Sequence, residues 1–404
     1  MSTIEYLKAQ ASKSGCGSSY LFILGACDVQ RKLYAFEKVG KADLKVMKRK
    51  SDGNATVYCE GGFNTTNGKT AHGLVRLSKR YRVLSVIDSR YAGRDAGLIL
   101  DQKNAGIPVF SSLEEAVTSA RTLGEDLQFL VIGLAPDGGK LSPQARSDVC
   151  KAIEFGMNVD SGLHDFLSED PAISTLAATR GVELRDIRKP KAVQDLHFFS
   201  SKIEEVTSVK VAVLGTDSAV GKRTTAWILV KALEEAGYTA ELVGTGQTAW
   251  MQGAQYSIII DSLVNDFVSG EIEHAVWSCW RDRNPDVIVI EGQGSLMNPA
   301  YPGGLEILAA GRPDCVVLQH APAREEYDGF PGYPMHSLVH QKRALEMISG
   351  KPVIAATINH EAMSPEEVPV VCASLEQEVG VPVLDVLSGG GHQLVLALAP
   401  RLRG

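Results

Sequence analysis

The sequence predicts an α/β protein built from two open, largely parallel sheets, one in each half of the chain. Three observations carry this. Short apolar runs alternate with helical patterns in both halves, the mark of βαβ units and a parallel sheet. The polar stretch from Arg185 to Ser208, which carries Pro190, breaks that rhythm, so the domain boundary is set near residue 207, with domains 1–206 and 207–404. A glycine-rich loop, "GTDSAVGKRTT" (Gly215–Thr225), joins the apolar run "VKVAVL" to a helical pattern.

In the first half, "SYLFILGA" (19–26) is a strand candidate, "GKTAHGLVRLSKR" (68–80) reads as a helix and "YRVLSVIDS" (81–89) as a strand. "SSLEEAVTSAR" has Ser112 as N-cap and Glu115 three residues later, a capping-box spacing. The strand "LQFLVIGLA" (127–135), a helix opened by Pro143 and the strand "MNVDSGL" (157–163) follow. In the second half, "VKVAVL" leads through the loop into "KRTTAWILVKALEEAG", closed by Gly237, and then into the strand "YTAELVGT". The stretch 262–280 reads as helical with a break near Gly270. Strands "PDVIVIEGQG", "PDCVVLQHA" and "KPVIAATINH", a helix over 364–380 and the strand "VPVLDVL" complete the pattern.

Composition bounds the function. A net charge of −7 with no long basic run argues against nucleic acid as a partner. The polar N-terminus does not read as a signal peptide, and no apolar run approaches a membrane span, so neither export nor membrane insertion is expected. Seven cysteines, none in a C-x-x-C pair, fit small buried hydrophobes in a cytoplasmic protein better than a disulfide or zinc framework.

The chemistry is expected at the carboxyl ends of the strands, where open α/β sheets bind ligands. In the glycine-rich loop, successive backbone N–H groups from Gly215, Thr216, Asp217, Ser218, Ala219, Val220 and Gly221 can curl round an anion, and Lys222 at the helix start neutralises it. Five residues separate the two glycines, one more than in the commonest phosphate loop. Arg223 follows the lysine, where such loops carry the Ser or Thr that holds Mg²⁺. Arginine cannot ligate the metal, and Thr224 or Thr225 would do so only with shifted geometry, so no metal is expected. The loop suits a phosphate-bearing ligand that is gripped and not cleaved.

Four more strand ends share this rim. "DVIVIEGQGSL" ends its strand at Glu291, followed by Gln293; "VVLQHAPAREEYDGFPGYP" offers His320, Arg324, Tyr327 and Asp328; "TGQTAWMQG" offers Gln247, Thr248 and Gln252; "TINHE" offers Asn359 and His360. In the N-terminal half, "NGK" opening a helix at Lys69 is a candidate anion site, and Asp88, with Arg90 and Arg94 nearby, ends a strand. No G-x-G-x-x-G precedes Asp88, so NAD is not expected.

The loop "GTD..VGK" resembles that of dethiobiotin synthetase. Taken together, "GTDSAVGKRTTA", "TGQTAWMQG", "DSLVNDFVSGEIE", "IEGQGSLMNPAYPGG", "LQHAPAREEYDGFPGYP" and "TINHE", with "GGFNTTNGKTAHGL", "VIDSRYAGRDAG", "VIGLAPDGG" and "SGLHDFLSEDP" upstream, resemble the D-glutamate N-acetyltransferase family. The resemblance implies an N-terminal Rossmann-like parallel-sheet domain followed by a P-loop NTPase-like α/β domain. It also implies acetyl transfer from acetyl-CoA, as co-substrate, to an acidic D-amino acid.

On that reading Glu291 and His320 are the candidate bases, residues 215–225 hold a CoA phosphate, and Arg324, Gln247 and Gln293 bind the acceptor. A homo-oligomer is the expected assembly. Two other readings stay open: an ATP-dependent ligase or carboxylating enzyme, and a non-catalytic nucleotide-sensing module.

Overall fold

The protein is described by a computed structural model covering residues 51–402; the strand candidate at 19–26 lies outside the described residues. The described residues pack as a single unit holding two parallel sheets. The first contains β1 (Gly53–Tyr58), β2 (Tyr81–Ile87), β3 (Val109–Phe110), β4 (Phe129–Ile132), β5 (Asn158–Ser161) and β6 (Leu184–Asp186), in the spatial order β3-β2-β1-β4-β5-β6. Its helices are α1 (Lys69–Arg76), α2 (Ala96–Asp101), α3 (Leu113–Thr122), α4 (Pro143–Glu154) and α5 (Pro171–Arg180). The cap at Ser112 forms as the spacing indicates, with its hydroxyl accepting from the Glu115 N–H at 3.2 Å.

The central strand β1 was not foreseen. "GNATVY" opens on Gly-Asn and is only six residues long, so it carries little strand signal of its own. It forms because β2 and β4 flank it and bury Ala55 and Val57 completely. Strand β6 lies at the start of the polar stretch that sets the domain boundary. It is held by Arg185, whose guanidinium donates to both oxygens of the fully buried Asp160 at 2.6 Å.

The second sheet has β7 (Val209–Gly215), β8 (Ala240–Gly244), β9 (Tyr256–Ser257), β10 (Val287–Glu291), β11 (Cys315–His320), β12 (Val353–Ile358) and β13 (Val383–Leu384), in the order β13-β12-β11-β7-β10-β8-β9. Its helices are α6 (Lys222–Glu235), α7 (Gln247–Gln252), α8 (Asn265–Arg283), α9 (Leu305–Ala310), α10 (Leu338–Ser349), α11 (Glu367–Val379), α12 (Val386–Gly389) and α13 (His392–Leu398). Along β7, Ala212 and Leu214 enter one core and Val211 and Val213 the other. Both faces are covered, which is why the strand reads as a continuous apolar run.

Helix α8 runs without the expected break. Gly270 is there for space: the chain at His197–Phe198 crosses so closely that a Cβ on residue 270 would collide with the His197 carbonyl. The crossing segment is pinned from the same helix. Glu271 accepts from the His197 N–H at 2.9 Å, and Glu273 accepts from the Ser200 N–H at 2.6 Å. The polar stretch is therefore a strap on α8.

The two sheets are joined largely through α1 and α7. The Thr70 and Thr248 hydroxyls share a hydrogen bond of 2.9 Å. The Gln252 amide donates to the carbonyls of Gly73 (2.7 Å) and Leu77 (3.1 Å) and accepts from the Trp227 indole at 3.1 Å. The Arg80 guanidinium lies 3.7 Å over the Trp250 ring, and its Nε donates to the Trp250 carbonyl at 2.8 Å. No helix among the described residues is long and apolar enough to cross a membrane.

Candidate functional site

Strand β7 lies between β10 and β11, with Val213 opposite Glu291 and Gly215 opposite Gln319. The glycine-rich loop therefore leaves the sheet between two strands that end in Glu291 and His320. The sheet order brings the other rim segments alongside: α7 follows β8, next to β10, and Asn359 follows β12, next to β11.

The loop is held from several sides. Its first residue, Thr216, donates its N–H to the Gln319 carbonyl at 2.9 Å. Asn359 Nδ2 donates to the Val220 carbonyl at 2.9 Å. Gly221 has φ 109°, a conformation that L side chains rarely adopt, and it turns the chain into α6. Lys222 opens that helix. Its Nζ donates to the Asp217 carbonyl at 2.6 Å, and burial lowers its pKa to about 8.

Asp217 is the anchor beneath the loop and is fully buried. Its Oδ1 accepts from Asn298 Nδ2 (2.8 Å) and the Ser218 N–H (2.7 Å); its Oδ2 accepts from Arg324 Nη1 (2.7 Å) and the Asp328 N–H (2.8 Å). Arg324 also donates to the Ser218 carbonyl at 2.8 Å and, through Nη2, to Glu361 at 2.5 Å. Sequence reasoning gave Arg324 to a substrate carboxylate. Two protein carboxylates already hold it, and its fork ties the loop to the 321–335 segment.

The residues after Lys222 diverge. The Thr225 hydroxyl donates to Gln319 Oε1 at 2.5 Å, and Thr357 donates to the same oxygen at 2.5 Å, so Thr225 is committed to the sheet. Thr224 is half-buried. Arg223 turns away from the loop toward the other domain. Its Nη2 donates to the Lys69 carbonyl at 3.4 Å, and its Nε is shut off from solvent with no hydrogen-bond partner.

The two candidate bases are shifted in opposite directions by the same cause. Glu291 is buried, and desolvation raises its carboxyl pKa; the Arg223 and Lys222 charges and the Thr245 and Gly246 amides only partly counter this. His320 is equally buried, and desolvation lowers its pKa to about 4, with Arg324 adding to the fall. His320 is thus neutral near pH 7. Its Nδ1 shares a 2.9 Å hydrogen bond with the Thr216 hydroxyl.

Gln247 packs its side chain against Gly162 of the first domain, and Gln293 is half-buried in the turn after Glu291. His360 pairs with Asp385 at 2.7 Å. Asp88 is satisfied locally by Arg90 and the Phe63 N–H. Sequence reasoning missed three supports: Asn298 on Asp217, Gln319 beneath the loop, and Gln341, whose amide donates to the Thr216 carbonyl at 2.9 Å. Asn298 and Gln319 lay in segments already singled out; Gln341 did not.

Comparisons with known proteins agree with this architecture. Residues 89–190 match a Rossmann-like domain of unknown function (DUF1611_N), and residues 197–395 match a P-loop domain of unknown function (DUF1611_C). A protein of Pseudoalteromonas sp. named D-glutamate N-acetyltransferase is 30% identical over 306 residues, covering 73% of this chain and 86% of that one. A protein of the same name from Tritonibacter scottomollicae is 28% identical over 303 residues, with the same coverage. The crystal structure of a DUF1611 family protein from Anabaena variabilis superposes with a TM-score of 0.78 at 27% identity, covering 86% of this chain and 99% of that one. With its Rossmann-like and P-loop domains in this order and relatives of that name over most of its length, the chain belongs to the D-glutamate N-acetyltransferase family.

Proposed function

We propose that the protein transfers the acetyl group of acetyl-CoA to the amine of D-glutamate. One observation carries the reading beyond the names of the relatives. The loop has the curl and the lysine of a phosphate cradle, but the position that normally offers a metal hydroxyl holds an arginine that points elsewhere, and the next-but-one hydroxyl, of Thr225, is bonded to Gln319. Such a loop grips a phosphate without activating it. Coenzyme A, with its pyrophosphate and 3′-phosphate, is a ligand of that kind.

The residues present fit such a group. Lys222 is a cation with a lowered pKa, and an anion beside it restores full protonation. The start of α6 adds about half a positive charge. The loop amides would take the phosphate oxygens, and Lys222 would leave the Asp217 carbonyl to reach them.

In the transfer step the acceptor nitrogen attacks the thioester carbon. The C–N bond forms, the C–S bond breaks, the amine proton passes to a base, and the departing thiolate is protonated. We assign the base to Glu291. A general base works best with a pKa near the working pH, and burial moves Glu291 up toward that range while it moves His320 down, away from it. His320 then serves as a neutral hydrogen-bonding group fixed by Thr216.

The test is direct. The protein is incubated with acetyl-CoA and a panel of D- and L-amino acids, and in parallel with ATP and Mg²⁺. Free thiol together with N-acetyl-D-glutamate supports the reading. ADP formation without free thiol would give the site to ligase chemistry.

A further inference from the structure

The P-loop rim leaves one cluster without a function. It sits where the first turn of α1 meets the first turn of α6. Arg223 Nη2 reaches the Lys69 carbonyl at 3.4 Å, and the guanidinium lies against Gly73. Lys69 is the first residue of α1, and the N-cap before it, Gly68, offers no side chain to the helix amides. Arg188 approaches from the end of the first sheet; its Nε donates to the Gly162 carbonyl at 2.6 Å and its Nη1 pairs with Asp261.

Three cations therefore crowd one spot, and they are unequally satisfied. Arg188 has its acid. Lys69 has no carboxylate within ion-pair distance and no side-chain hydrogen bond among the described residues; Asp261 and Asp328 act on it only from farther away. Arg223 Nε is sealed from solvent without a partner. Lys69 is exposed, yet the protein around its amine, followed by the repulsion of Arg188 and Arg223, lowers its pKa. An anion placed among these charges would offset their repulsion and favour the charged lysine.

The position also fits the reaction. The Arg223 charge acts on both Glu291 and Lys69, so one guanidinium links the proposed base to this cluster. The Asp328 N–H bonds to Asp217 beneath the loop, so the segment whose side chain acts on Lys69 is the one that anchors the phosphate cradle.

We propose that Lys69, supplied by the N-terminal domain and backed by Arg223, binds a carboxylate of the acidic acceptor where the first turns of α1 and α6 meet. The choice of a carboxylate over a phosphate rests on the acetyl-transfer reading, in which the loop already holds the donor's phosphate. The proposal gives the N-terminal domain a direct part in substrate selection.

The experiment is the kinetics and equilibrium binding of full-length Lys69→Ala and Lys69→Arg. Lys69 makes no side-chain bond, so both variants should keep the wild-type melting temperature. We expect Lys69→Ala to raise the KM for D-glutamate by about 10- to 100-fold, the range for a charged hydrogen bond, with the KM for acetyl-CoA within about twofold. Lys69→Arg should recover most of the loss. In calorimetric titrations with glutarate, a non-reacting dicarboxylate, wild type should bind and Lys69→Ala should not. Unchanged D-glutamate KM in an active Lys69→Ala enzyme overturns the site while the acetyl-transfer reading stands. A rise confined to acetyl-CoA overturns it in favour of a donor phosphate. If wild type makes no N-acetyl product but Lys69→Ala still abolishes glutarate binding, the reading of the reaction fails and the anion site stands.

Discussion

Arg324 donates to Asp217 at 2.7 Å beneath the glycine-rich loop, with the carboxylate wholly buried and the guanidinium largely so. The pair joins the loop to the segment after β11, and neither side chain is free to act alone. Removing the arginine leaves a buried charge with fewer partners, a loss that typically costs about 3–5 kcal/mol. We expect Arg324→Ala to lower urea-unfolding stability by an amount of that order and to raise the KM for acetyl-CoA more than that for D-glutamate. Adding Asp217→Asn should return part of the stability, a non-additivity that a double-mutant cycle reads directly. A rise confined to D-glutamate KM would instead give Arg324 to the acceptor.

Glu291→Gln keeps shape and hydrogen bonding but removes basicity. We expect kcat to fall by about 10²- to 10⁴-fold, with little change in acetyl-CoA affinity. His320→Asn should cost less. In wild type, kcat should fall toward acid pH through a group titrating above the ordinary glutamate range, since burial raises the Glu291 pKa, and this acid limb should vanish in Glu291→Gln. A full loss in His320→Asn with Glu291→Gln active would reverse the two roles.

Lys222 sets a second pH dependence. Its pKa in the free protein is lowered to about 8, and a bound phosphate favours the charged form. Below that pH the lysine is already protonated, so acetyl-CoA affinity should be flat. Above it, binding must take up a proton, and affinity should fall by up to about tenfold per pH unit. Titrations of acetyl-CoA between pH 6.5 and 9.5 check this. Lys222→Arg should flatten the curve, and Lys222→Ala should weaken binding by about 1.5–3 kcal/mol at neutral pH.

Gly270→Ala tests the strap on α8. Alanine favours a helix over glycine by about 1 kcal/mol, so a free helix position would gain stability. Here the new methyl meets the His197 carbonyl. We expect a net loss of about 1–3 kcal/mol, typical of overpacking, seen as a lower Tm. Increased proteolysis between His197 and Ser200 should accompany it, because the clash loosens that segment.

Much of this was legible in the residues. The parallel sheets followed from alternating apolar runs, and the rim motifs lay at strand ends, because side-chain burial on both faces of a sheet leaves a plain trace. β1 did not follow, since its strand character comes from its neighbours. Gly270 misled because glycine signals both a break and a close approach, and only the crossing chain decides which. At the site, the types of Glu291, His320 and Lys222 were readable, but the direction of Arg223 was not. Nothing in "GKRTT" tells that the arginine serves a helix 154 residues away.

The Gln252 amide carries a thermodynamic consequence. One side chain satisfies a tryptophan of its own domain and two carbonyls of the other. Melting the Rossmann-like half first would strip both acceptors from a buried donor and uncover the Trp250 ring that Arg80 covers. Neither half should therefore melt ahead of the other. Scanning calorimetry should record a single endotherm whose calorimetric and van't Hoff enthalpies agree, and a chain begun at residue 207 should aggregate where the longer chain stays in solution.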